Sequence, residues 1–306
     1  MNKKIKIWLK AVRPQFFTAT IVPVTLGAVI SWHQFGSFNW PYFLLALIGG
    51  LFIHAGLDLA NDYYDHTSGV DDINRFPTPF SAGSRVIQEK LLTPGQVIRG
   101  SIFCFLAGSA IGLYLNFVLP GNTILIIGII GVFLAFFYTA DPIRIGYTGF
   151  GELSVWLGFG PVMVLGSYYV QCHQLSWLPF LASVPVGILI ALVLYINEFP
   201  DYEADKKVNK RTLVIILGKK KAIKVYYLLL GFVYLWVILG VITKFFPYFT
   251  LIVFITVPLF FKAVKVAKMN YDKIYELLPA NAATIGLHLT IGLLLSVGFI
   301  LNKLVK

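Results

Sequence analysis

The stretch "PYFLLALIGGLFIHAGLDLANDYYDHTSGVDD", residues 41–72, carries no formal charge from Pro41 to Leu57 and then places five Asp between positions 58 and 72. A helix needs about 20 largely apolar residues to cross a bilayer. The stretch therefore reads as a membrane span whose last turns carry carboxylates. Eight further windows of the same kind follow or precede it, the nine being centred near residues 24, 49, 106, 129, 160, 187, 233, 254 and 292. The 306 residues are 58% hydrophobic and 13% charged, with mean hydropathy +0.78, where a soluble domain has roughly 25% charged residues. The expected fold is all-α: a polytopic membrane bundle of nine transmembrane helices forming a single domain over residues 1–306.

Charge sets the orientation. The net charge of +11 does not point to nucleic acid, because Lys and Arg fall in alternate loops. All of the 25 basic residues except Lys244, Lys303 and Lys306 belong to one side, as do all 14 Asp and Glu. The basic side is the cytoplasmic one by the positive-inside rule. Acidic residues are not sorted by that rule, so their confinement to the same side implies a reaction or cation site opening there. The start, "MNKKIKIWLKAVRPQ", is basic and amphipathic without a short apolar core or small-residue cleavage site; it reads as an interfacial helix rather than a cleaved signal. Cys104 and Cys172 have no ligand spacing around them.

Asp58, Asn61, Asp62 and Asp65 recur at intervals of three and four, the spacing of one helix face. Asp71 and Asp72 follow a turn-prone "HTSG". The sixth span ends in "YINEFPDYEADKKVNKRTL", where Asn197, Asp201 and Asp205 repeat the pattern at intervals of four, with Glu198 and Glu203 beside them. Pro200 is expected to bend or interrupt the helix before Asp201. Like charges so crowded repel unless a cation sits among them. Hard oxygen donors on two facing helices suit Mg²⁺, which commonly completes its shell with phosphate oxygens. Basic residues near both clusters, Arg85, Lys90, Arg144, Lys206, Lys207, Lys210 and Arg211, are of the types that grip anionic phosphate.

In order along the chain, "RPQFFTATIVPVTLGA", "NDYYDHTSGVD", "GSRVIQEKLLTP", "YTADPIRIGYTGFGE" and "DYEADKKVNKRTLVIILG" resemble the signatures of the UbiA superfamily of intramembrane aromatic prenyltransferases. Through "YTGFGE" and "GPVMVLGSYYVQ" the chain is similar to the 1,4-dihydroxy-2-naphthoate polyprenyltransferases of menaquinone synthesis. The resemblance implies a Mg²⁺-dependent reaction between a polyprenyl diphosphate and an aromatic acceptor. It implies metal binding by Asn61, Asp62, Asp65, Asn197, Asp201 and Asp205, with Asp65, Asp201 and Tyr138 at the centre of catalysis. Arg85, Lys90, Arg144, Lys206 and Arg211 become candidates for the diphosphate. Where the subgroup shows Asn-Asn-x-Arg-Asp, this chain has "NEFPD", a departure at Glu198 and Pro200 that bears on the acceptor.

Such chemistry accounts for the carboxylates: metal held by them stabilises a departing diphosphate, while an apolar pocket shields the allylic cation from water. Tyr63, Tyr64, Tyr138, Tyr147 and Tyr168 offer aromatic faces for that cation. The isoprenoid tail is expected to leave sideways into lipid. His54 lies inside a span, with packing as its expected role and a hydrogen bond to the acceptor as the alternative. A cation-coupled transporter is the rival class, since intramembrane Asp clusters in two halves also fit it. Other acceptors (4-hydroxybenzoate, haem, a glycerol phosphate ether) stay open.

Overall fold

All regular elements of the computed structural model, which describes residues 2–74 and 76–305, are helices. Met1, Arg75 and Lys306 lie outside the described residues. Helix α1 (Lys3–Val12) begins at Asn2, whose side chain accepts from the Lys4 N–H at 3.0 Å. Its lysines are exposed and Trp8 packs down on Gly100, as the amphipathic pattern requires. Arg13, in the left-handed region at φ 47°, ends α1. A tight turn at Pro14–Phe16 leads to α2 (Thr18–Phe35).

Helices α3 (Trp40–Thr67) and α4 (Val70–Ile73) precede a strap, described at residues 74 and 76–93, that crosses the basic end of the bundle. Then come α5 (Pro94–Val118), opened by a Thr93/Gln96 capping box, and α6 (Thr123–Phe136). Helices α7 (Gly151–Leu157) and α8 (Met163–Cys172) form one span joined by a π turn at Gly158–Val162 that contains Pro161. Next are α9 (Trp177–Lys207), the short α10 (Leu213–Leu217) and α11 (Lys219–Ile242). A 3₁₀ stretch, Tyr248–Thr256, runs into α12 (Val257–Asn270), and α13 (Leu278–Val305) closes the bundle.

Eight of the nine expected spans are helical segments of 22 residues or more and apolar enough to cross a membrane. The remaining one, α6, is apolar throughout but has 14 residues. At 1.5 Å per residue it reaches about 21 Å, short of a hydrocarbon core of about 30 Å. The carboxylate-bearing helices err the other way. With 28 and 31 residues, α3 and α9 extend about 42 and 46 Å, so their last turns clear the hydrocarbon.

Lipid offers no hydrophobic drive between helices, so close packing across small residues holds the bundle. Helix α9 is its centre, with 72% of its most apolar stretch buried against 22% for the lipid-facing α5. A Cβ on Gly292 of α13 would stand 2.1 Å from Val22 of α2, and one on Gly160 would stand 2.9 Å from the Cα of Gly187. Neither gap admits a side chain.

Contrary to expectation, Pro200 does not interrupt α9, which runs unbroken to Lys207. Proline removes the N–H that would bond the carbonyl four residues back, here that of Ile196. Asn281 of α13 replaces it: its Nδ2 donates to the Ile196 carbonyl at 3.2 Å and to Asn197 Oδ1 at 2.7 Å.

Candidate active site

The two Asn/Asp faces meet at the basic end of the bundle. Asn61, Asp65, Asn197, Asp201 and Asp205 line one chamber of about 190 Å³, together with Asp58, Asp71, Arg13 and Lys210. Lys210, just past α9, ties the helices together, its Nζ lying 3.5 Å from Asp205 Oδ1 and 3.9 Å from Asp65 Oδ2. Burial works against the Lys210 charge, yet Asp205 and Asp65 hold its pKa well above the ordinary ammonium value. Asp65 also accepts from Asn61 Nδ2 at 3.0 Å and from the Tyr147 hydroxyl at 2.7 Å. Burial, then the Asp65 charge, push the Tyr147 phenol upward.

On the α3 side, Arg13 donates to Asp58 Oδ1 at 2.8 Å and stands 3.9 Å from Asp62 Oδ1. Burial opposes its charge, but Asp58 and Asp62 raise its pKa above the usual value. The strap covers the chamber with hydrogen-bond donors. The Ser84 N–H donates to Asp62 Oδ1 at 3.1 Å and its hydroxyl to Asp62 Oδ2, while Asn74 Nδ2 donates to Asp201 Oδ1 at 2.8 Å. Gly83, at φ 65°, lets the strap pass where a Cβ would lie 2.8 Å from Asp62. Asp71 is buried beside them; burial, then the charges of Asp65 and Asp62, push its carboxyl up to about 8.

The basic residues read from the sequence divide. Arg85 sits at the rim, where its Nη1 donates to the Asp71 carbonyl at 2.5 Å. Arg144 pairs with Asp141 at 2.7 Å and lies 5.5 Å from the Tyr147 ring. Lys90, Lys206 and Arg211 are exposed and do not line the chamber. Of the tyrosines, Tyr138 lines it; Tyr63 packs beneath α1, Tyr64 packs near Phe105, and Tyr168 donates to Gln34 at 2.6 Å toward the opposite end. Glu198 and Pro200 stand outside the chamber wall.

Two further cavities continue from the chamber. A neck of about 70 Å³ shares His54, Leu57, Tyr138, Val155 and Phe159 with it. Beyond Ile53, Gly131, Val162 and Met163 the neck becomes a cleft of about 510 Å³ between α3, α5, α6 and α8, lined almost wholly by apolar side chains. Leu113 and Ile129 on its border are 57% and 60% exposed, so the cleft opens toward lipid beside the short α6.

The UbiA prenyltransferase family model matches residues 20–297. This chain belongs to the UbiA prenyltransferase family. It is 31% identical over 256 residues to 1,4-dihydroxy-2-naphthoate octaprenyltransferase of Bacillus subtilis, covering 83% of this chain and 79% of that one. It is 27% identical over 283 residues to 2-carboxy-1,4-naphthoquinone phytyltransferase of Synechocystis sp., covering 92% and 89%. The fold matches a UbiA homologue from Archaeoglobus fulgidus, solved bound to GPP and Mg²⁺, with TM-score 0.69 at 15% identity over 96% and 98% of the two chains. The chain is thus an integral membrane prenyltransferase, which displaces the transporter reading.

The donor set of this UbiA prenyltransferase fits Mg²⁺. It consists of carboxylate and amide oxygens on two facing helices. Among the described residues no three His, Cys, Asp or Glu side chains converge closely enough to hold an ion alone. An ion there needs oxygens from water and substrate, the mode in which Mg²⁺ binds beside phosphates. Sequence reading missed Arg13, which looks like one more topological cation in a basic run. It also missed Asn281, a lone amide 84 positions from the Asn it holds. Arg13 opens the quoted "RPQFFTATIVPVTLGA" stretch, which could have pointed to it, whereas no local signal marks Asn281.

Proposed function

We propose that this prenyltransferase moves a polyprenyl group from an allylic diphosphate to 1,4-dihydroxy-2-naphthoate in a Mg²⁺-dependent reaction of menaquinone synthesis. One observation carries the reading: both carboxylate faces line a chamber with two half-buried cations, Arg13 and Lys210, and that chamber continues into an apolar cleft open to lipid. A headgroup of concentrated negative charge on a long apolar tail is the ligand such a shape accepts. The naphthoate and naphthoquinone in the names of the Bacillus and Synechocystis relatives support the acceptor. Glu198 and Pro200, where the motif departs from the subgroup, do not line the chamber.

Asn61, Asp65, Asn197, Asp201 and Asp205 would hold the metal. When bound, Mg²⁺ supplies positive charge to the diphosphate as it departs. Asp62, with both oxygens engaged by Ser84, closes the strap. Lys210 and Arg13 bind the remaining anionic oxygens, and Arg85 guards the rim. Tyr138 presents its ring at the neck, where an aromatic face favours the allylic cation and apolar walls keep water away. The tail lies in the cleft. The basic end, carrying the active site, faces the cytoplasm.

The test is an acceptor panel with one labelled polyprenyl diphosphate, using purified protein in lipid vesicles and reading product mass. With 1,4-dihydroxy-2-naphthoate the expected product has lost carbon dioxide. No prenylated product from any aromatic acceptor at saturating Mg²⁺ would sink the proposal.

A further inference from the structure

Prenyl transfer to an aromatic ring needs more than an ionised donor, because a phenol is a poor carbon nucleophile until its hydroxyl proton is removed. Resting on the transfer reading above, the base must stand where the allylic carbon meets the ring, at the junction of the polar chamber and the apolar neck. Five residues line both cavities, and two of them are titratable: His54 and Tyr138. Burial, then Glu198, keep the Tyr138 phenol protonated. We infer that His54 is the base that takes the hydroxyl proton of the aromatic acceptor.

The surroundings of His54 are built for this. It is 4% exposed, and its Nδ1 lies 2.9 Å from the hydroxyl of Thr20 on α2. In the tautomer whose Nδ1–H is donated to Thr20, Nε2 carries the lone pair. Nε2 is 3.9 Å from Asp58 Oδ2, too far for a hydrogen bond. That same Asp58 oxygen is buried and has no partner, while Oδ1 accepts from Arg13. Nε2 and Asp58 Oδ2 both retain capacity for a third group. Phe17 and Phe159, with ring centroids at 5.4 and 4.9 Å, flank the imidazole with apolar surface suited to a flat ring. Asp58 and Arg13 are the charged groups facing His54; α2 and the π turn contribute only Thr20 and the phenyl rings.

The step balances. The acceptor O–H breaks as Nε2–H forms, and the oxygen's electrons feed into the ring. A ring carbon bonds to the allylic carbon, whose C–O bond breaks with its pair leaving on the diphosphate. The substituted carbon then sheds H⁺ to water or, where it bears a carboxylate, carbon dioxide, and the electron pair left behind restores the aromatic ring and the charge on its oxygen. His54 returns its proton to that oxygen, which regenerates the hydroxyl and the free base.

The experiment compares wild type, His54→Gln and Thr20→Val in vesicles, with a long-chain allylic diphosphate and naphthols of graded hydroxyl acidity. Loss of a general base costs about 10²–10⁴-fold. His54→Gln should lose that much with the least acidic naphthol and recover most of it with one already ionised at the assay pH. Thr20→Val should show a smaller loss with the same acidity dependence, and it carries the test if His54→Gln melts early. Equal losses across the series, or no loss, overturn the assignment. A wild type that transfers to none of the acceptors overturns the transfer reading itself and this inference with it.

Discussion

Replacing Asn281 by Ala removes two hydrogen bonds at once, those to the Ile196 carbonyl and to Asn197 Oδ1. Interhelical bonds in membrane proteins average only about 0.6 kcal/mol, so the second alone is a small loss. The first is larger because Pro200 leaves Ile196 no helical donor and Ile196 is fully buried. An orphaned buried carbonyl costs about 1–3 kcal/mol, giving an expected total of about 2–3 kcal/mol for Asn281→Ala, including the smaller bond. Pro200→Ala restores the N–H and with it the bond to Ile196. In that background Asn281→Ala should cost about 1 kcal/mol, a coupling of about 1–2 kcal/mol. Any cavity left by the amide is common to both arms and cancels. The assay is a double-mutant cycle by reversible denaturant unfolding of the detergent-purified protein. A coupling of zero would refute the substitution of Asn281 for the missing helical bond.

Asp65→Ala and Asp201→Ala should each abolish transfer while leaving membrane insertion intact; full activity of both purified variants at saturating Mg²⁺ would contradict the metal assignment. A Cβ at Gly128 would meet nothing within 4 Å, so Gly128→Leu should fill the cleft without strain; turnover should fall with long-chain donors far more than with short ones, and a uniform fall would remove the cleft as the tail site. Asp71 carries a folded-state pKa raised from 3.8 to about 8, so its contribution to stability is complete below about pH 4 and is lost as pH rises through about 8. In metal-free detergent, melting temperatures between about pH 5 and pH 9 should therefore fall less for Asp71→Asn than for wild type; identical slopes would refute this.

The membrane spans and the two Asn/Asp faces were legible because both are local. A long apolar run and an Asn/Asp interval of three or four need no knowledge of the rest of the chain. The length of α6 was hidden because a hydropathy window of about 20 residues centred near 129 also counts Leu119, Phe137 and Tyr138, which lie outside the helix. Lys210 was one of several basic residues named beside the second cluster, and Arg13 was not singled out, because positive-inside sorting places many cations near both and only packing shows which two line the chamber. The continuity of α9 through Pro200 depended on Asn281, and the capping of Asp62 and Asp201 on Ser84 and Asn74, each a contact between distant segments. Placing His54 between chamber and neck likewise required the packed bundle.

The mouth beside α6 has a kinetic consequence. If its greasy substrate enters and its product departs through that gap, neither dissolves in the aqueous phase, and turnover follows the fraction of bilayer molecules that are substrate. Diluting vesicles with buffer should then leave velocity per enzyme untouched, whereas adding inert phospholipid should lower it. Acyl chains drawn from the surrounding leaflet become the resident competitors for the groove.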